Sequence, residues 1–191
     1  MTTTPTPASP DANEDVITVL RRQHDQVRGL LRDIREGTAD RQESFDQLVR
    51  LLAMHETAEE IVVHPMVAKL GTSGEAVAEA RTDEEDQAKK VLARLADLRV
   101  GSPEFAAEFA EFAAAVEHHA AAEEAETFRI LVGNCDLDEL RSMGERFLLA
   151  ERVAPTRAHA AAPESAVGNM VVGPFVAIAD RVRDALTGRD R

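Results

Sequence analysis

The strongest constraint on the fold of this chain is a short polar motif that occurs twice. His55 and Glu59 recur further along the chain as His119 and Glu123. Residues four apart lie on the same face of an α-helix, so each copy presents an imidazole and a carboxylate in one direction. The motif therefore predicts two helices that each carry the same pair of polar side chains.

A second repeat precedes each copy of the first. The segment His24-Asp25-Gln26 recurs as Glu85-Asp86-Gln87, at nearly the same interval as the first motif. If each motif lies on its own helix, four helices direct metal-type ligands towards one point. Di-metal sites in helix bundles are built in this way, with ligands projecting inward from every helix.

Apolar residues recur at intervals of three and four and predict four long helices. Ser-Pro pairs mark two of the helix starts, and glycines mark the stops. Short loops make neighbouring helices antiparallel, which predicts an all-α, up-down-up-down four-helix bundle. The predicted spans are about Pro10 to Glu36, Asp40 to Leu70, a Ser73-capped helix ending near Gly101, and Ser102 to Gly133.

The chain divides into three parts by composition. Residues 1–9 are rich in Thr and Pro and are expected to be a disordered tail, and residues 10–133 form the bundle. Residues 134–191 form a C-terminal extension, with a short helix over 136–151, a linker, and an amphipathic helix over about 174–187. The last helix is expected to pack on the bundle or on a second copy, which leaves a homodimer through the extension open.

Six polar side chains interrupt the apolar faces of the four helices. They could be ordinary polar residues on hydrated faces. However, burying an unpaired carboxylate costs several kcal/mol, and no Lys or Arg is expected at the same height on these faces. We therefore predict that all six are metal ligands: His24, His55, Glu59, Glu85, His119 and Glu123.

The donor types indicate which metal is bound. Imidazoles and carboxylates without a thiolate suit iron, with manganese as the alternative, better than a structural zinc. Glu59 and Glu123 are the expected bridges between two ions, together with an oxo, hydroxo or water bridge. Open positions would then remain for O2 or peroxide.

Three further residues stay open as members of the site. The face defined by apolar residues favours Glu84 slightly over Glu85, whereas the repeat favours Glu85. His64 lies off the predicted face but precedes Pro65, which can kink the helix, so it could be an extra ligand or a lid. His118 is expected behind the ligands or on the surface.

Composition excludes several classes of function. The 191 residues include 22 Lys and Arg against 35 Asp and Glu, a formal charge of −13, which argues against nucleic-acid partners and anionic membranes. Cys135 is the single cysteine, so neither a disulfide nor a thiolate cage can form within the chain. No signal or apolar span is apparent, and the cytoplasm is the default location.

In these motifs the chain resembles the hemerythrin-like (HHE cation-binding) family over about residues 12–132. The resemblance implies an up-down four-helix bundle that holds a non-haem di-iron centre. His24, together with both His-x-x-x-Glu pairs, matches the ligand pattern of that family. Glu85 stands where the family usually has a histidine.

The resemblance implies a protein that binds O2, peroxide or nitric oxide. An added carboxylate should stabilise the ferric state and disfavour reversible oxygen carriage, so redox detoxification or sensing is expected. Weak peroxidase-like or catalase-like activity, or oxidation of nitric oxide or Fe(II), would be consistent with this. The alternatives are a non-catalytic iron or oxygen sensor or store, and a metal-free bundle used for protein contacts.

Overall fold

The computed structural model describes residues 14–153, which form a helix bundle with one further helix packed on its side. The four long helices contact one another in chain order, and the fourth returns to the first. The predicted all-α bundle with a helical C-terminal extension is confirmed. The helices are α1 (Val16–Glu36), α2 (Arg41–Ala58), α3 (His64–Ala68), α4 (Thr72–Ala96), α5 (Pro103–Ala122), α6 (Phe128–Asn134) and α7 (Leu137–Val153).

Polar side chains cap the first turns of α1 and α5. The carboxylate of Asp15 accepts a hydrogen bond from the backbone N–H of Thr18 at 3.1 Å and caps α1. The helix therefore begins at Val16, so the predicted helix was wrong at residues 14 and 15, and its predicted first residue, Pro10, lies outside the described residues. The hydroxyl of Ser102 accepts from the backbone N–H of Phe105 at 3.1 Å, which confirms the predicted cap of α5.

The predicted bounds of α4 were wrong at both ends. The helix begins at Thr72, because Gly71 adopts a left-handed φ of 97° and its carbonyl accepts the N–H of Glu75. Ser73, the predicted cap, therefore lies inside the first turn. The helix ends at Ala96, well before Gly101. Directly after Ala96 the backbone forms tighter hydrogen bonds, each to the carbonyl three residues earlier.

Two π-helical turns interrupt the second and fourth long helices. Glu59–Val63 joins α2 to α3, and Glu123–Thr127 joins α5 to α6. In each turn a backbone N–H bonds to the carbonyl five residues earlier: His64 to Glu59, and Phe128 to Glu123. Such turns add one residue to the helix, so every later side chain is displaced around the axis.

The π-helical turns correct the predicted buried faces. An uninterrupted helix would bury Met66 and Ile130, whereas both are only partly buried in the structure. Val67 and Leu131, each one residue later, are buried instead at 1% and 0% exposure. The displacement by one residue follows directly from the extra residue in each turn.

The core consists of two apolar clusters separated by a polar layer. One cluster surrounds Leu20, Val62 and Phe147, and the other surrounds Leu48 and Phe112. The predicted ligands lie between them, at the level where each helix passes from one cluster to the other. Within residues 14–153, no helix combines the length and hydrophobicity that crossing a membrane requires.

The helix expected over 136–151 is present as α7 and packs on α1 and α2. Its side chains Phe147 and Ala150 are fully buried in the first cluster. At Gly144 a Cβ atom would lie 2.2 Å from the carbonyl oxygen of Glu14, so the two backbones are in direct contact there. The amphipathic helix expected over 174–187 lies outside the described residues.

Candidate metal centre

The structure brings the predicted ligands together in two groups that share one glutamate. In the first group, ligand atoms of His24, His55, Glu59 and Glu123 all lie within 4.8 Å of one another. In the second group, ligand atoms of Glu59, His64 and Glu85 lie within that same distance of one another. Glu59 therefore belongs to both groups, which is the arrangement expected of a bridging carboxylate.

His119 lies at the edge of these groups. Its Nε2 atom is 3.9 Å from Oε2 of Glu123, and its side chain is 15% exposed. Of the residues left open, His118 is exposed on the surface. Glu85 is 2% exposed and lies inside the centre, whereas Glu84 is partly exposed and lies behind His119.

His64 is brought into the centre by the π-helical turn that precedes it. Its Nε2 atom lies 3.2 Å from Oε1 of Glu85, and the residue is 7% exposed. Regular helical spacing places His64 off the inward face, which is why it stood only as an alternative. The Pro65 that follows it was the available signal for a distortion.

Each of the four imidazoles points its Nε2 atom into the centre and its Nδ1 atom at an outer partner. Such contacts fix the ring orientation and the tautomer of metal-binding histidines. Sequence reasoning did not identify these partners in this role. The contacts are His24 with Glu124 at 3.0 Å, His55 with Gln23 at 2.7 Å, His64 with Thr82 at 3.3 Å and His119 with Glu84 at 2.9 Å.

The sequence repeat extends to these outer partners. Gln23 supports His55, and Glu84 supports His119. Glu84 follows Gln23 at the same interval that separates His24 from Glu85. The two halves of the chain thus place equivalent groups behind equivalent ligands, so the repeat itself was the signal that could have found them.

A second equivalent pair surrounds the centre. Arg28 bonds to Glu124 at 2.7 Å, and Lys89, which follows Arg28 at that same interval, bonds to Glu60 at 2.7 Å. Lys89 Nζ also lies 3.8 Å from Oε2 of Glu85. The expectation that no Lys or Arg lies at the height of the carboxylates was therefore wrong, because Lys89, one turn beyond Glu85, reaches back along the helix.

Burial and mutual repulsion govern the ionisation of the carboxylates. Burial, followed by the charge of neighbouring glutamates, raises the pKa of both Glu59 and Glu85 well above the usual range. Burial also opposes the ionisation of Glu123, but the adjacent imidazoles of His24 and His119 outweigh it and lower its pKa. Burial, then the neighbouring His24, lowers the pKa of His55 to about 3.

The unpartnered atoms of this layer test whether the residues suit a cation. None of them makes a hydrogen bond of ordinary geometry to another group in the described part of the chain. Leaving such atoms without partners is costly, and cations bound at the two groups could satisfy them. They are Nε2 of His24, His64 and His119 and both carboxylate oxygens of Glu59, Glu85 and Glu123.

A small cavity of about 30 Å³ lies against the ligands. One part of its wall is formed by four of the predicted ligands: His24, His55, Glu85 and His119. The remaining wall is mostly apolar and includes Val27, Leu52, Ala88, Ala115, Val116 and Ala120.

The fold and these side chains together define a class: a four-helix-bundle protein with buried histidines and carboxylates that could hold a metal. The model of the hemerythrin HHE cation binding domain matches residues 15–131, so the chain belongs to that family. This confirms the resemblance inferred from the motifs. Proteins of this kind bind metal ions, and the His and Glu groups here could hold a metal.

Two known proteins are similar to the chain over most of its length. An uncharacterised hemerythrin-like protein of Schizosaccharomyces pombe is 29% identical over 142 residues, which cover 74% of this chain and 70% of the relative. A protein of Nostoc sp. named DNA nickase is 26% identical over 135 residues, covering 70% of this chain but only 38% of the relative. No solved structure matches the chain significantly.

Proposed function

We propose that the protein is a non-haem di-iron protein that binds O2, peroxide or nitric oxide and acts in redox detoxification or sensing. Manganese is the alternative metal. The observation that carries the proposal is a layer of buried donor atoms without hydrogen-bond partners beside a cavity too small for an organic substrate.

The donor groups suggest how two ions would be held. His24 and His55 would bind one ion, and His64 and Glu85 the other. Glu59 belongs to both groups and would bridge them, with Glu123 as the second bridge. Bound iron would supply one-electron redox changes shared between two ions. His119 would complete the coordination from the side of Glu123.

The cavity limits which molecules can reach the ligands. A cavity needs about 10–15 Å³ to hold one water, and pockets for drug-sized ligands measure about 300–1,000 Å³. The volume of about 30 Å³ suits a diatomic molecule or peroxide. Its largely apolar wall also favours small uncharged molecules and limits the access of water.

Glu85 makes the second group more negative than a set of imidazoles would. Its carboxylate would stabilise the higher oxidation state of a bound ion and disfavour release of intact O2. His64 supplies an imidazole to the same group, 3.2 Å from Glu85. The mixed donor set therefore supports redox turnover rather than oxygen carriage.

Metal analysis combined with absorption spectroscopy tests the proposal. Protein purified from metal-replete medium should contain two iron or manganese ions per chain, and its spectrum should change on adding peroxide or nitric oxide. Less than one ion per chain would refute the di-metal centre. A fully loaded protein that leaves both molecules untouched would refute the redox function and favour a sensor or a store.

We do not extend the DNA-nicking activity in the name of the Nostoc relative to this chain. The aligned region covers only 38% of that relative. The formal charge of −13 also opposes binding to a phosphate backbone.

A further inference from the structure

Helix α7 lies beyond the residues matched by the family model. Its side chains nevertheless contact the predicted metal ligand His55 and the glutamine that bonds to it, Gln23. The ring of Phe147 packs edge-on against the imidazole of His55, with centroids 6.1 Å apart. One turn later, the carboxylate of Glu151 accepts a hydrogen bond from Nε2 of Gln23 at 2.5 Å. Oε1 of the same glutamine lies 2.7 Å from Nδ1 of His55.

The direction of these hydrogen bonds fixes the tautomer of His55. A carboxylate accepts, so the amide of Gln23 turns its NH2 group towards Glu151. Its carbonyl oxygen then faces His55 and accepts a hydrogen bond from Nδ1–H. The proton is thereby held on Nδ1, and Nε2 keeps a free lone pair directed into the centre, as a metal ligand requires.

Gln23 needs this support more than the two carboxylate partners, Glu124 and Glu84, do. The imidazoles of His24 and His119 face the carboxylates of Glu124 and Glu84, which accept in either orientation. An amide group can flip and present a donor in place of an acceptor. A flipped Gln23 would favour the tautomer with the proton on Nε2, and the nitrogen that faces the centre would then have no lone pair for a metal.

We propose that Glu151 is a positioning residue of the metal centre, acting through Gln23 on His55, and that α7 is therefore a component of the centre. The contact is secured by packing. Glu151 is 8% exposed, and the close approach of Gly144 to the backbone at Glu14 sets the position of α7 along α1. The inference rests on the proposed function, since it assigns α7 a role in holding that metal.

Two variants of Glu151 and one control test this role in the full-length protein. Glu151→Ala removes the acceptor, whereas Glu151→Gln keeps a carbonyl oxygen that can accept from Gln23. Glu145→Ala changes an exposed glutamate on the same helix. Side-chain 15N NMR of the metal-free proteins should show His55 protonated on Nδ1 in all except Glu151→Ala.

Titration with Co²⁺ measures the consequence for metal binding. Loss of an outer hydrogen-bond partner typically weakens a metal site by about 10–100-fold. In Glu151→Ala we expect the affinity for one of the two Co²⁺ ions to fall by this factor. In Glu151→Gln and Glu145→Ala the affinity for both ions should stay near the wild-type value.

Two other results have distinct meanings. If Glu151→Ala only lowers thermal stability, while the His55 tautomer and both cobalt affinities are unchanged, α7 is a packing element and the inference is overturned. If wild-type protein binds no Co²⁺, Fe²⁺ or Mn²⁺ while the His55 tautomer still depends on Glu151, the proposed function fails and the positioning of His55 by α7 stands.

Discussion

Replacing Glu59 by methionine should change stability in opposite directions with and without metal. Glu59 is fully buried, and neither carboxylate oxygen makes a hydrogen bond within residues 14–153. Burial raises the pKa of Glu59, so the metal-free carboxyl group is neutral, and leaving a buried polar group of this kind without hydrogen-bond partners costs about 1–3 kcal/mol, which methionine of similar volume avoids. We therefore expect metal-free Glu59→Met to be more stable than the metal-free wild type by an amount in this range.

With metal present, the same substitution should be destabilising relative to wild type. An ion at about 1,000 times its dissociation constant adds about 4 kcal/mol to the free energy of unfolding. Because Glu59 belongs to both ligand groups, its removal should abolish much of the stabilisation that each ion adds. The metal-induced increase in Tm should accordingly shrink or disappear in the variant.

Thermal unfolding followed by circular dichroism, with EDTA and with Mn²⁺, measures both effects. Each kcal/mol corresponds to about 2–4 °C for a chain of this size. Glu111→Met, which changes an exposed glutamate on α5, controls for the general effect of the substitution. A metal-free Glu59→Met protein that melts below the metal-free wild type would refute the argument that this carboxylate is kept for the metal.

Three further predictions concern the same layer. Without metal, protein stability measured by urea unfolding should fall as the pH rises above about 6.5, the value for an unfolded histidine, because raised pKa values favour protonated Glu59 and Glu85 in the folded state but not in the unfolded state; stability that rises with pH from there would contradict the assignment. Isothermal titration calorimetry should show weaker metal binding in Glu84→Ala, through His119, and a larger loss in Glu85→Ala; unchanged metal affinity in Glu84→Ala would show that the contact of Glu84 with His119 is dispensable. Ala88→Leu should fill the cavity and slow the reaction with peroxide in stopped-flow absorption while metal content stays unchanged; an unaltered rate would place the access route elsewhere.

The sequence was sufficient for the bundle and for most of the centre. His24, His55, Glu59, Glu85 and Glu123 were found because a repeat at helical spacing reports directly on which face carries polar groups. Their predicted role as ligands remains a prediction. Helical spacing predicted the inward-facing positions correctly up to Glu59 and Glu123, the first residues of the π-helical turns, because the helices are regular until there.

Beyond those glutamates the same reasoning could not work. His64 enters the centre because one extra residue turns the helix, and helical periodicity assumes a constant rotation per residue. Lys89 was missed because its long side chain extends a full turn beyond its own backbone position. The contact of Glu151 with Gln23 joins residues 128 positions apart, which no local pattern indicates.

The internal repeat has a consequence for chain connectivity. The segment before Gly71 contributes His24, His55, Glu59 and His64, and the segment after it contributes Glu85, His119 and Glu123. Each ligand group draws on both segments, so a bound ion would tie the two helical hairpins together independently of the peptide bond that joins them. A backbone cut at Gly71 would thus leave two pieces that metal could hold as one unit, as a cross-link does.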